Sequence, residues 1–287
     1  FDGCAGARQA LDNLGIECEY YASEVDNYAI EIAMKNFPDI IQTGDIRNLN
    51  ETNLPKDIDL VIGGSPCQDL SRAKHGKGLE GSKSSLLYEY LRIKELVKPK
   101  YFLLENVASM KTESMKKITK LVGPVPFKIN SKTFTTQNRE RIYWTDISTF
   151  IELPFVKLLL ENILPDIKTC LVEKRSEKAK EDRRTSRETG SKEYCSFRDK
   201  ILVPRNDDLV NCVTATLGEN MKVLDINDRV RYLTPEECEI LQGMKPGYTA
   251  GVSKTQRYKM IGNGFTVPVI ERFMLKMINK MEEGINE

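Results

Sequence analysis

The sequence predicts an α/β fold, a doubly wound and mainly parallel sheet that carries a small insert. Three observations predict it. Apolar runs alternate with stretches of helical period through the first half, as in a sheet covered by helices on both faces. Two of the runs, Leu60-Val61-Ile62-Gly63-Gly64 and Tyr101-Phe102-Leu103-Leu104, are continuous enough to be strands buried on both sides. Each then closes on reactive residues, Pro66-Cys67-Gln68 and Glu105-Asn106-Val107, at the carboxyl end where open α/β sheets gather their ligands.

The elements follow in order. A glycine-containing turn, Phe1 to Gly6, feeds a helix from Ala7 to Leu14 that Gly15 ends. A strand over Cys18–Ala22 and a helix over Asn27–Asn36 come next, then a short strand at Ile40-Ile41 that leads to Gly44-Asp45. After the strand at Leu60 comes a loop rich in Ser, Gly and Lys (71–85), a helix over Leu86–Val97 and the strand at Tyr101. Phe127–Asn130 and Arg141–Trp144 look antiparallel, with Trp144 as core packing. Residues 171–190 mix charges almost without apolar period and read as an exposed loop or a solvated helix. Thr234 is an N-cap with Pro235 at the first helical position, and the last helix runs from Val267 to about Glu283. The chain therefore divides into 1–150, an insert at 151–225, and a return at 226–287 that completes the first domain.

Composition narrows the function classes. A chain of 287 residues buries a sizeable core. A net charge of +1 with 30% charged residues advertises no global affinity for nucleic acid, so any such binding belongs to a local face. Seven scattered cysteines (4, 18, 67, 170, 195, 212 and 238) without a CxxC pair predict reduced thiols in a cytosol and no metal site. His75 is the single histidine, which all but removes Ser-His-Asp catalysis, and its place in the 71–85 loop makes it an exposed loop residue. No apolar run is long enough to cross a bilayer.

The chemistry lies at the two strand ends. Cysteine is the strongest side-chain nucleophile near neutral pH, and a partly desolvated glutamic acid can hold or deliver a proton. Cys67 and Glu105 together suit activation of an electron-poor ring. Alone, each has a plainer reading: a small buried thiol and a turn. An adenosine-type cofactor is predicted beside them. The turn at Phe1-Asp2-Gly3 lets the backbone approach a ligand, and Glu24 ends the second strand, where an acid accepts ribose hydroxyls. Asp45 ends the third strand, placed to accept from an adenine amino group, and Val25 and Ile46 are placed to cover the ring faces. A dinucleotide is the weaker alternative, because the turn reads Gly3-Cys4-Ala5-Gly6 and not GxGxxG. S-adenosylmethionine fits best, since its sulfonium needs no phosphate-binding helix start.

The ordered blocks resemble the DNA cytosine-5 methyltransferases. They are the Phe-Asp-Gly turn, Ser23-Glu24-Val25, Gly44-Asp45-Ile46, Gly63 to Gln68, Glu105-Asn106-Val107, Gln137-Asn138-Arg139-Glu140-Arg141, Arg231 to Glu236, Leu241-Gln242-Gly243 and Gly262-Asn263-Gly264. The resemblance covers nearly the whole chain except about 151–210. Asp69-Leu70-Ser71 after the cysteine, Lys77-Gly78-Leu79, and Phe265 to Ile270 are similar to the animal de novo branch, whereas Gln68 and Asn263 are closer to bacterial and phage enzymes. Two departures stand out: the family's first strand is expected before Phe1, and Ala5 replaces a turn glycine.

The resemblance implies a class I, Rossmann-like methyltransferase that works on a flipped-out cytosine in double-stranded DNA. It implies that Cys67 attacks C6, Glu105 holds N3, and C5 takes the methyl group of S-adenosylmethionine, leaving S-adenosylhomocysteine. Arg141 pairs with Glu105 and meets the base carbonyl, and Arg139 contacts backbone phosphate. Pro66, Asn263 and Phe265 border the cofactor, although Phe265 reads equally well as core. Asn106 ties its loop together. Gln68, Ser71, Arg72, Lys74, Thr214 and Thr216 face DNA, and the loop with Arg72, Lys74, Lys77 and Lys83 closes after base flipping.

By position the insert carries target recognition. Its Lys174, Arg175, Lys178, Lys180, Arg183, Arg184 and Arg187 are largely offset by Glu173, Glu177, Glu181, Asp182 and Glu188, so Asn211 to Gly218 is the better base-side loop. A tRNA cytosine-5 methyltransferase and a silent DNA-docking relative are the rival readings. A thiol redox protein ranks last, for want of a resolving cysteine near Cys67. The setting expected is the cytoplasm of a bacterial or phage-infected cell, with no membrane partner.

Overall fold

A computed structural model describes residues 1–65, 86–147, 159–177, 181, 200–216 and 221–283. Pro66, Cys67, Gln68, Ser71, Arg72, Lys74 and the rest of the 71–85 loop lie outside the described residues, as do Cys195 and most of the charged stretch 178–199.

The chain opens with helix α1 (Gly6–Asn13), strand β1 (Tyr21–Ala22), α2 (Asn27–Asn36) and β2 (Ile41–Gln42). Asp26 caps α2 by accepting from the Tyr28 amide at 3.1 Å, and Gly15, at φ +67°, ends the first helix as its residue type suggests. Then follow β3 (Leu60–Gly64), α3 (Leu86–Val97), β4 (Tyr101–Val107), α4 (Thr112–Val122), β5 (Phe127–Asn130), β6 (Gln137–Asn138) and β7 (Glu140–Thr145).

Strands β3 and β4 run parallel, with Gly64 opposite Glu105, so the two strands are neighbours as expected. Strand β7 joins β4 antiparallel, with Tyr143 opposite Glu105 and Arg141 opposite Val107, and β5 completes the order β3-β4-β7-β5. The antiparallel reading of Phe127–Asn130 and Arg141–Trp144 therefore holds. Trp144 is fully buried, and its indole donates to Thr119 at 2.9 Å.

The first strand pair differs from expectation. Only Tyr21 and Ala22 pair, with Ile41 and Gln42, and this pair shares no ladder with the four-stranded sheet. A cavity of about 580 Å³ lies between them, walled by Tyr21, Ala22, Leu60, Ile62, Met274 and Met277. Among the described residues no strand crosses that space, and the ladder over Cys18–Ala22 has two rungs.

The second half adds α5 (Leu160–Ile163), β8 (Ile167–Arg175), β9 (Lys200–Pro204), β10 (Val210–Asn211), β11 (Lys222–Asp225) and β12 (Val230–Tyr232). Strands β12-β11-β8-β9 form an antiparallel sheet, while β10 leaves it to pair in parallel with β6 of the first half. Helices α6 (Pro235–Leu241), α7 (Lys254–Asn263) and α8 (Val267–Glu283) close the chain. Thr234 makes a full capping box with Glu237, each accepting from the other's amide, and Pro235 takes the first position. Helix α8 buries Val269, Ile270, Phe273 and Met277 in the main core together with α1, whereas α6 and α7 share a second core with Cys170, Val210, Val213 and Val223 of the insert.

Candidate active site

Strand β4 delivers Glu105 to the sheet end. Its side chain is 12% exposed, and Arg141 Nε sits 2.9 Å from its Oε1. The two are diagonal neighbours across the β4–β7 ladder, within reach of long side chains. Burial raises the Glu105 carboxyl above its ordinary value, while Arg141 and then Arg139 pull the other way. The second carboxylate oxygen faces β3: a Cβ built on Gly64 would come within 3.1 Å of it and within 3.4 Å of the Phe265 ring. Glycine at that position is what lets the acid close on the strand that leads to Cys67.

Asn106, 2% exposed, fastens the same junction. Its amide donates at 3.1 Å to both the carbonyl and the hydroxyl of Ser65, and its oxygen accepts from the Val107 amide at 2.9 Å. The expected loop-tying role is present in these bonds. Phe265 is 8% exposed and belongs to the main core, and it also lines the approach to Glu105.

The first turn supplies a second cluster. Gly3 takes φ +64°, a Cβ there would meet no heavy atom within 4 Å, and its amide donates to Glu24 at 2.9 Å. Glu24 also accepts from the Val25 and Asp26 amides at 2.8 and 3.0 Å, so its carboxylate organises the turn while facing it. Ala5 adopts φ 64° and ψ 39°, the left-handed conformation a glycine would hold more cheaply. The turn thus keeps its shape at a cost of about 1–2 kcal/mol.

Asp2 accepts from the Tyr20 hydroxyl at 2.6 Å through Oδ1, while its Oδ2 is buried with no partner. Burial raises the carboxyl to about 6. An unpartnered buried oxygen beside an open glycine turn is what an uncharged or cationic ligand group would satisfy, so these residues fit an adenosyl amino-acid cofactor.

The other residues expected at the cofactor have the following surroundings. Ile46 is 9% exposed and packs with Leu49, Ile93 and Phe1, so its side chain serves that small core before any ring. Val25, at 65%, is the open one of the two. Asp45 caps the short turn Ile46–Asn48 and is gripped by Arg47 through two bonds of 3.0 Å from Nε, which lower its carboxyl to about 2. Asn263 is exposed at the end of α7.

Arg139 is a correction. The resemblance sets it on backbone phosphate, yet it is 2% exposed. Its Nη1 donates to the Val213 carbonyl at 3.0 Å and lies 3.5 Å from Cys212 Sγ, and its Nη2 donates to the carbonyls of Gly262 and Gly264 at 3.1 and 2.8 Å. Both ends of the guanidinium fork face backbone, and burial leaves no route to a phosphate. Thr214 is half-buried and donates to the Thr216 carbonyl at 2.8 Å, and Thr216 is exposed.

Gln137 has no role that the sequence alone assigns. It is fully buried, accepts from the Val213 amide at 2.9 Å and donates to the Leu241 carbonyl at 2.9 Å. Gln242 continues the chain of bonds to Ile261 and Thr266. Only its place in the Gln-Asn-Arg-Glu-Arg block points to Gln137, because a buried glutamine looks like a surface one in sequence.

The family model for C-5 cytosine-specific DNA methylase matches residues 1–149 and 128–279. The chain belongs to that family. It is 29% identical over 311 residues to the type II methyltransferase M1.ScrFI of Lactococcus lactis subsp. cremoris, covering 99% of this chain and 78% of that protein. It is 28% identical to the type II methyltransferase M.HpaII of Haemophilus parainfluenzae, covering 98% and 88%. The orphan methyltransferase M.Rho11sI of Bacillus phage rho11s is 35% identical, over 50% of this chain and 31% of its own length.

Among solved structures, the S. pombe Dnmt2 methyltransferase matches with a TM-score of 0.66 at 17% identity, over 98% of this chain and 97% of that one, which speaks to the fold. A putative DNA modification methyltransferase from an E. coli prophage matches at 0.62 and 20%, over 100% and 98%. As a family member the chain transfers a methyl group from S-adenosylmethionine to C5 of cytosine in DNA, by the covalent cysteine mechanism general to the family. No helix among the described residues is long and apolar enough to cross a membrane.

Proposed function

We propose that Cys67 is the nucleophile and Glu105 the acid of this reaction, acting on a cytosine flipped out of double-stranded DNA. The observation that carries the reading is the Glu105 carboxyl: buried, paired with Arg141 at 2.9 Å, and pressed against Gly64, three residues before Cys67. The Cys67 thiolate adds to C6, and Glu105 holds a proton at N3, so the electron pair leaving the C5–C6 double bond is delivered at C5 without charge building on the ring. Burial of Glu105 raises its carboxyl toward the range where it can keep that proton. Arg141 orients the acid and reaches the base carbonyl. A base, water or hydroxide, then takes the C5 proton, the pair returns to C5–C6, and the sulfur leaves.

S-adenosylmethionine, when bound, supplies the methyl group as an electrophile on a sulfonium. Asp2, Gly3, Glu24, Val25, Asp45, Pro66, Asn263 and Phe265 are the residues proposed to hold it, with Phe1 and Ile46 backing the pocket. Gln68, Ser71, Arg72, Lys74, Thr214 and Thr216 are proposed to meet DNA, and the insert at 151–225 to read the target sequence. The proposed setting is the cytoplasm of a bacterial or phage-infected cell, a reading supported by relatives that come from bacteria and a Bacillus phage.

Competition between duplex DNA and tRNA as methyl acceptors tests the substrate. Labelling of the duplex, with tRNA inert, is the expected outcome; preferential labelling of tRNA would overturn it.

A further inference from the structure

Arg139 carries a charge that neither the proposed chemistry nor DNA contact uses. Its surroundings give it a different task. The guanidinium joins three pieces of backbone that are far apart in sequence: strand β7, which it precedes, the Cys212–Val213 segment, and the turn from Gly262 to Gly264. Gln137 fastens the same segment from two residues upstream, and β10 pairs with β6 beside it. From the other side α7 presses on it: a Cβ on Gly262 would fall 2.2 Å from the Thr214 carbonyl carbon. Two residues downstream, Arg141 holds Glu105. Cys212 lies within the field of both arginines, so the segment and the acid share one electrostatic frame with Tyr143.

We propose that Arg139 is a positioning residue: it latches the Asn211–Thr214 segment and the Gly262–Gly264 turn onto the strand that carries Arg141, so that the loop facing the base and the acid Glu105 keep one fixed spacing. This rests on reading Glu105 as the acid at the target base. A guanidinium suits the task because its planar fork meets carbonyls on two sides at once, which a lysine ammonium at the end of a flexible stem does not.

The test compares Arg139→Lys and Gly262→Ala with the unaltered chain, using S-adenosylmethionine and duplex DNA containing the target cytosine. Cofactor-binding stoichiometry fixes the folded fraction. The expected result is a fall in kcat of about 10- to 100-fold, the scale of a small misplacement at a reacting centre. The slope of log Kd against log salt stays as in the unaltered chain, because the latched segment brings no charge to DNA. A near-normal kcat with weaker DNA binding and a salt slope reduced by about 1 would make Arg139 a phosphate contact and overturn the proposal. Should Arg139→Lys not fold, Gly262→Ala keeps the arginine but pushes the segment away, and a normal kcat in that variant overturns the latch equally. If the unaltered chain methylates no cytosine duplex, the underlying reading of Glu105 fails instead, which is a separate result.

Discussion

Arg141 and Arg139 stand two residues apart and lead opposite lives. The first lies at the sheet end, 14% accessible, paired with an acid that chemistry can use. The second is buried and spent on backbone carbonyls. Identical side chains in one motif thus divide into one that pairs with an acid at the sheet end, where we propose the substrate to sit, and one that is bound to distant backbone. What separates them is where the neighbouring carbonyls fall, which depends on segments more than seventy residues away. Charge in a motif therefore marks importance without marking its kind.

The largest effect that would break this contrast comes from the reactive end. Cys67→Ser is expected to abolish methyl transfer while cofactor affinity, measured by calorimetry, stays close to that of the unaltered chain; retained turnover would remove the covalent step. Glu105→Gln keeps the shape and loses the proton, and a rate loss of about 100- to 10,000-fold is expected in single-turnover assays. A near-normal rate would mean that another group protonates N3.

Asp2 sharpens the comparison from the cofactor side. Its carboxyl rises from 3.8 to about 6 on burial, so the folded chain binds that proton more tightly than the unfolded one. The stabilisation is present below about pH 4 and is lost as pH rises through 6. Asp2→Asn should then raise the apo protein's stability at pH 7 by on the order of 2–3 kcal/mol and flatten its stability between pH 4 and 6. The same change should weaken cofactor binding, because the orphaned oxygen is what a ligand would satisfy. A variant that melts as before and binds as before would remove Asp2 from the site. The smallest effect is at the capping box, where Thr234→Ala should cost about 1 kcal/mol in urea unfolding with kcat unchanged.

The two strands were legible because each is a continuous apolar run, although β3 is mostly half-buried and only β4 is largely buried. The antiparallel β5–β7 pair and the Thr234 cap follow from local signals, whereas the register that sets Gly64 opposite Glu105 appears only in the fold. The clasp was not legible. Gln137, Arg139 and Gln242 are polar, and nothing local distinguishes a buried amide that satisfies distant carbonyls from one in water. The packing of Ile46 with Leu49 and Ile93 was not legible either, because its neighbour Asp45 drew attention to a ligand and not to that small core.

The most direct measurement is a trap. Duplexes carrying 5-fluorocytosine in varied contexts are incubated with the protein and S-adenosylmethionine, then denatured. Fluorine at C5 cannot leave as a proton does, so a denaturation-resistant adduct is expected, lost in Cys67→Ala and confined to the contexts the insert reads. An adduct that survives Cys67→Ala, or none with any DNA duplex, would contradict the assignment of nucleophile and substrate.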